Sequence, residues 1–240
     1  MDPLEVRLFR DLRMKAGLKP LVVHTPYLLN LCSSSRSLRE KSMRHLSIEL
    51  ARAGQLGAEI VVTHVGGSET PSKDDQRLFS SIEWVLARSS KDCQLLLENA
   101  ARPRGGIGSS LQRLSQVVAA FGSEVGLCLD VAHAFQAGYD IRTRRGMDDA
   151  LGEMEGTLRD GRLRLLHLND SKTPLGSGVD RHERIGFGEI GLPGFEVLLG
   201  HPALRVVPGI LETPGATREE DIPNIRALRS IERKTSFPVF

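Results

Sequence analysis

Six residues of metal-ligand type close six short apolar runs along this 240-residue chain. His24 follows Leu21-Val22-Val23, His64 follows Ile60-Val61-Val62-Thr63, and Glu98 follows Leu95-Leu96-Leu97. Asp130 follows Leu127-Cys128-Leu129, His167 follows Leu163-Arg164-Leu165-Leu166, and Glu212 follows Gly209-Ile210-Leu211. Neutral imidazole and carboxylate suit Zn²⁺, with Mn²⁺ or Fe²⁺ open to the same donors. Two local spacings add to the set. Asp130-Val-Ala-His133 leaves a strand and enters a turn, so its two polar side chains can diverge towards neighbouring metals. Asp180-Arg-His182 carries ligand types at i and i+2, which an extended loop points to one side, a two-ligand clip that His133 can complete.

Taken singly, each residue has an ordinary reading. A lone His after an apolar run is more often a hydrogen-bonded structural histidine. Glu98 could cap a segment or pair with an Arg, and Asp180 and His182 sit among Arg181, Glu183 and Arg184 in what could be a solvated loop. Together they behave differently, because five of the seven histidines (His24, His64, His133, His167, His182) stand at or just past strand ends. His45 falls inside a helical pattern and His201 in a surface-like turn.

The elements that must position these residues follow from their spacing. Successive run ends lie 32 to 45 residues apart, about one strand–helix–strand crossover each. An apolar run closed by a polar residue reads as a buried parallel strand with a functional group at its C-terminal end, where (β/α) barrels keep their chemistry. Helical patterns fill the gaps: Ser37 to Ala53 with Gly54 as its stop, Leu78 to Ala87, and Leu111 to Phe121 before Gly122. Met147 to Leu158 and Gly194 to Leu199 follow, then Asp221 to Ile231 with Asp221 at the cap and Pro223 in the first turn. Lys172 to Glu189 is Gly-rich and charged and reads as a functional loop with no strand in it. The expected fold class is α/β, a TIM-type (β/α) barrel forming one domain over residues 1–240. Only six of the eight strands of such a barrel are visible. Residues 1–20 hold one amphipathic helix, so the chain reads as N-terminally short, lacking the first two strands.

Length fits one barrel of about 250 residues. A net charge of +2 announces no basic tail, yet does not exclude nucleic acid, since bound metals add positive charge that composition cannot count. Three cysteines, Cys32, Cys93 and Cys128, fit neither a disulfide framework nor a CxxC zinc site. They read as reduced and mostly buried, as in a cytoplasmic protein. No run approaches 18 apolar residues, and the N-terminus is charged rather than signal-like. A soluble protein outside the membrane is expected.

Longer motifs carry a resemblance. His24-Thr-Pro-Tyr-Leu-Leu-Asn-Leu31, Asp130-Val-Ala-His-Ala-Phe-Gln-Ala-Gly-Tyr-Asp140, His167-Leu-Asn-Asp-Ser-Lys172, Asp180-Arg-His182, Ile185-Gly-Phe-Gly-Glu-Ile-Gly191 and Ile210-Leu-Glu-Thr-Pro214 are similar to the endonuclease IV family of apurinic/apyrimidinic (AP) endonucleases. The likeness spans roughly residues 21–231. It implies a trinuclear zinc barrel enzyme of base-excision repair that cuts double-stranded DNA on the 5′ side of abasic sites and trims blocked 3′ ends. Carried over by position, His24, His64 and Glu98 would hold one zinc. Glu98 would be shared with a second, together with Asp130, His167 and Glu212, and would be the central catalytic carboxylate. His133, Asp180 and His182 would hold the third, where Mn²⁺ could replace Zn²⁺. Tyr27 and Leu28 occupy positions that in the family enter DNA at the abasic gap, as apolar wedges do; ordinary packing over the barrel mouth is the alternative. The resemblance also implies a monomer.

The chain departs from the family in three places. Val65-Gly66-Gly67-Ser68 replaces the usual Pro after the second ligand His, and the Asn99–Gly108 loop carries extra charge in Arg102 and Arg104. The third departure is the absence of the first two strands and of the DNA-gripping loop after the second. Strand edges left open would favour self-association. Two other readings remain: a metal-dependent sugar isomerase-like barrel, which typically uses fewer metals, and an inactive truncated relative.

Overall fold

The computed structural model describes residues 1–68, 71–89, 91–102, 105–215 and 217–235. Arg104, one of the loop charges noted above, lies outside them. The chain forms two compact units, residues 1–98 with 116–126, and residues 99–115 with 127–240.

In the first unit three parallel strands run in the order β1 (Val22–His24), β2 (Ile60–His64) and β3 (Gln94–Glu98). Helix α1 (Pro3–Ala16) precedes them, and α2 (Arg36–Leu56) and α3 (Asp74–Leu86) form the crossovers. Leu95, Leu96 and Leu97 of β3 are all buried. Side chains on both faces of a strand are buried only when both faces are covered, which is why β2 and β3 read as apolar runs, while β1 is only half-buried. Gly54 does not stop α2, contrary to expectation. The helix runs on to Leu56, and Gly57 closes it at φ 73°, a left-handed cap that glycine adopts without a Cβ penalty. Helix α1 is amphipathic as expected, starts on an Asp2 cap, and leaves Leu4, Leu8 and Leu12 exposed. Arg13 anchors it, donating to the Gly57 carbonyl at 2.6 Å and to both Glu59 carboxylate oxygens at 2.5 and 2.6 Å.

Helix α4 (Leu111–Ala120) and strand β4 (Val125–Asp130) lie where the chain passes between the units. The second unit continues with α5 (Val131–Gln136), α6 (Arg144–Gly152), α7 (Glu155–Arg159), β5 (Leu163–His167), β6 (Asp170–Ser171), β7 (His182–Glu183), α8 (Gly191–Gly200), β8 (Gly209–Ile210) and α9 (Arg218–Thr235). Strands β4, β5 and β8 are parallel neighbours.

Several elements differ from the sequence expectation. The residues after Asp130 form a helix, not a turn, and Asp130 caps it by accepting the His133 N–H at 2.7 Å. The helix expected over Met147–Leu158 is two helices, broken where the wholly buried Met154 turns inward. Helix α9 starts three residues before Asp221, so Pro223 lies inside it, and Glu219, Glu220 and Asp221 share its first turn, where negative charge suits the helix dipole. The loop from Lys172 to Glu189 does contain a strand, β7, paired antiparallel with β6. His201 is buried, not at the surface, and pairs with Asp148 at 3.0 Å.

Candidate metal centre

Strand register does the first positioning. In the first unit His64 and Glu98 are direct partners across β2 and β3, and His24 ends β1 opposite Val62. Glu98 is fully buried. Its Oε2 lies 2.8 Å from His24 Nε2 and 3.4 Å from His64 Nε2. His24 turns Nδ1 to the Thr25 carbonyl at 2.8 Å. A carbonyl only accepts, so Nδ1 carries the hydrogen and Nε2 offers its lone pair beside Glu98. Tyr27 sets its ring edge-on to His64, centroids 5.4 Å apart. Tyr27 is 67% and Leu28 85% exposed, so neither is packed away. The loop beneath is held by Asn30, which donates to Gly67 O at 2.8 Å and accepts from Gly67 N at 3.2 Å. Gly66 sits at φ 77° against that side chain. Gly66, the first glycine of that departure after His64, therefore meets a backbone need.

In the second unit Asp130 and His167 are direct partners across β4 and β5. His167 Nδ1 is 3.1 Å from Glu212 Oε2 and 3.9 Å from Asp130 Oδ2. Glu212 does not end its strand; β8 stops at Ile210 and the carboxylate comes from the loop beyond. His133, Asp180 and His182 form a second group. His133 Nε2 and His182 Nε2 lie 3.2 and 3.5 Å from Asp180 Oδ1 and 3.4 Å from each other. Four-coordinate zinc with bonds of about 2.0–2.1 Å requires donor separations of roughly 3.3 Å. These three edges fit that spacing. His133 turns Nδ1 to the Asn99 carbonyl at 3.0 Å, and His182 turns Nδ1 to the Glu212 carbonyl at 3.3 Å. Both Nε2 lone pairs and a carboxylate oxygen thus converge on one point, a donor set that calls for a cation. The geometry brings together His24, His64 and Glu98 in one unit, and Asp130, His133, His167, Asp180, His182 and Glu212 in the other.

The chain matches the family described as the xylose isomerase-like TIM barrel over residues 1–231. It is 40% identical to the probable endonuclease 4 of Methanoculleus marisnigri over 236 residues, covering 96% of this chain and 84% of that protein. The chain belongs to the endonuclease IV family of AP endonucleases. The probable endonuclease 4 of Carboxydothermus hydrogenoformans is 36% identical, covering 94% of this chain and 80% of that one. The crystal structure of endonuclease IV from Thermus thermophilus superposes with a TM-score of 0.84 at 34% identity, over 98% of this chain and 83% of that chain. The fold is therefore α/β of the TIM-barrel family.

Three buried polar residues around the donors drew no role from the sequence, although Asn169 and Asp170 lie within the His167–Lys172 motif. Buried Asn169 donates from Nδ2 to Asp130 Oδ2 at 2.6 Å and Glu212 Oε2 at 3.4 Å, and its Oδ1 accepts the Glu212 N–H at 2.7 Å. Buried Asn99 clamps the Asp130 backbone, accepting its N–H at 2.7 Å and donating to its carbonyl at 2.9 Å. Asp170 accepts from five backbone N–H groups, those of Ser171, Gly186, Gly188, Ile190 and Gly191, between 2.8 and 3.3 Å. The available signal was their place just past the ends of β3 and β5. Among the described residues no helix is long and apolar enough to cross a membrane.

Proposed function

We propose that this chain hydrolyses the phosphodiester 5′ to abasic sites in double-stranded DNA and trims blocked 3′ ends, using three zinc ions. Family membership supports the reading, and one observation carries it: the convergence of His133 Nε2, His182 Nε2 and Asp180 Oδ1 at 3.2–3.5 Å. That triad accounts for a third metal, which the alternative sugar isomerase-like reading leaves unused. His24, His64 and Glu98 would hold one zinc. Asp130, His167 and Glu212 would hold another, and His133, Asp180 and His182 the third, with Mn²⁺ as a possible substitute at one position. Zinc bound at these sites would lower the pKa of water towards neutrality and neutralise phosphate oxygens.

The chain's own residues do the rest. Carbonyls of Thr25, Asn99 and Glu212 fix the tautomers of His24, His133 and His182 so that Nε2 is always the presented atom. Asn169 holds two carboxylates in place without protonating either. Exposed Tyr27 and Leu28 are suited to fill the gap left by a missing base. Cys32, Cys93 and Cys128 stand as thiols, which is consistent with a reducing, cytoplasmic setting.

A duplex oligonucleotide with one abasic site should be nicked 5′ to the lesion, and prolonged EDTA treatment should stop the reaction. Elemental analysis should give up to three zinc per chain. Equal cleavage of undamaged duplex, or turnover of free sugars alone, would overturn the reading.

A further inference from the structure

The segment Ile185-Gly-Phe-Gly-Glu-Ile-Gly191 holds an exposed aromatic on a locked turn. Gly186 N–H and Gly188 N–H both donate to the same oxygen of buried Asp170, at 2.9 and 3.1 Å, so the residues flanking Phe187 are tied to one carboxylate. Gly186 sits at φ 85°, and a Cβ on Gly188 would approach the Asp170 Oδ1 to 2.5 Å. The turn therefore admits little but glycine at either side. Phe187 N–H closes it on the Arg184 carbonyl at 3.0 Å. Phe187 is 74% exposed, and the Arg184 guanidinium lies 5.0 Å from its ring centroid, with Glu183 3.9 Å from the same guanidinium. A floppy loop would let the ring fold away from water; this one holds it out. An aromatic face with an adjacent arginine is the chemistry that stacks on nucleobases. The platform also follows His182 within five residues on the loop that delivers the third donor group.

We propose that Phe187, flanked by Arg184, is a stacking contact for an unstacked nucleotide of the DNA substrate. This rests on the DNA reading above. It differs from the roles given to Tyr27 and Leu28, which belong to the other unit.

The test uses zinc-loaded protein and a duplex carrying a single tetrahydrofuran abasic analogue, with equilibrium binding and steady-state nicking measured for Phe187→Ala, Phe187→Leu and Phe187→Trp. Loss of one base–aromatic stack should raise Kd and KM about tenfold in the Ala and Leu variants. The Trp variant should restore them, with zinc content and melting temperature at the unaltered protein's values. If Phe187→Ala keeps the original Kd and KM while the unaltered protein nicks the duplex, the stacking role is wrong and the endonuclease reading stands. A drop in zinc content or melting temperature would make Phe187 a structural residue and overturn the proposal. If the unaltered protein neither binds nor nicks the duplex, both readings fall.

Discussion

His133 and His182 face each other through their Nε2 atoms at 3.4 Å, while the Nδ1 of each is turned to a backbone carbonyl. Two lone pairs aimed at one point repel unless a cation lies between them. Asp180 Oδ1, 3.2 and 3.5 Å from the two nitrogens, supplies the negative charge that such a cation needs. Replacing Asp180 by Asn keeps the shape and removes the charge. The expected outcome is loss of one zinc equivalent, from three to two, on elemental analysis. Retention of all three would refute the third-site assignment.

Asn169 gives a second prediction. Its amide donates to two carboxylates and accepts from the Glu212 backbone. In Asn169→Asp a third acid would replace the shared donor. Loss of an outer-shell partner typically lowers metal affinity about 10–100-fold. Chelator competition should reveal that drop, and the zinc-induced rise in melting temperature should shrink, while the melting temperature in EDTA changes far less.

The strand ends were legible in the sequence for a physical reason. Parallel strands covered on both faces read as continuous apolar runs, so the polar residue that ends each one stands out. His24, His64, Glu98, Asp130 and His167 are the last residues of their strands. What stayed hidden lacked a period. All six residues of α5 are buried, so no amphipathic stripe marked the helix. The β6–β7 ladder is two residues a side, too short for alternation to register. Asn99 and Asn169 resemble turn residues in sequence, and only folding reveals that they grip Asp130. Asp170 resembles a loop charge until five N–H groups are counted around it.

That count predicts a stability effect. Removing the Asp170 carboxylate by Asp170→Ala would strand several backbone donors in a buried site, and each unsatisfied buried group costs about 1–3 kcal/mol. The variant should lose about 3 kcal/mol or more in urea melts. A loss under about 1 kcal/mol would mean that the loop finds other acceptors.

Acid sensitivity should trace partly to Glu59. Partial burial opposes its charge, but hydrogen bonds from Arg13 and the Leu21 N–H outweigh that and hold the carboxyl below its usual value of 4.5. Because the folded-state pKa is the lower one, the stabilisation is fully present above about pH 4.5 and fades as pH falls through the depressed value. Arg13→Ala should flatten that part of the stability–pH curve measured between pH 3 and 6. An unchanged slope would assign the acid response to other groups.

Glu98 is the sharpest test of the first-unit donor set. Its Oε2 is the single atom approached by both His24 Nε2 and His64 Nε2, and the side chain is fully buried. Glu98→Gln preserves volume and removes one negative charge from a place where charge is hard to replace. A neutral amide oxygen binds zinc far more weakly than a carboxylate, and the NH₂ group would point a donor at an imidazole that needs to offer a lone pair. Nicking of abasic duplex should fall by about a hundred- to a thousandfold, the scale on which removing one preorganised charge-stabilising group acts. Part of the zinc should stay, because His133, His182 and Asp180 are untouched. The far-ultraviolet circular dichroism should be unaltered. If Glu98→Gln nicks at the original rate with its full zinc content, Glu98 is a structural carboxylate and the catalytic role carried by the resemblance does not apply to this chain.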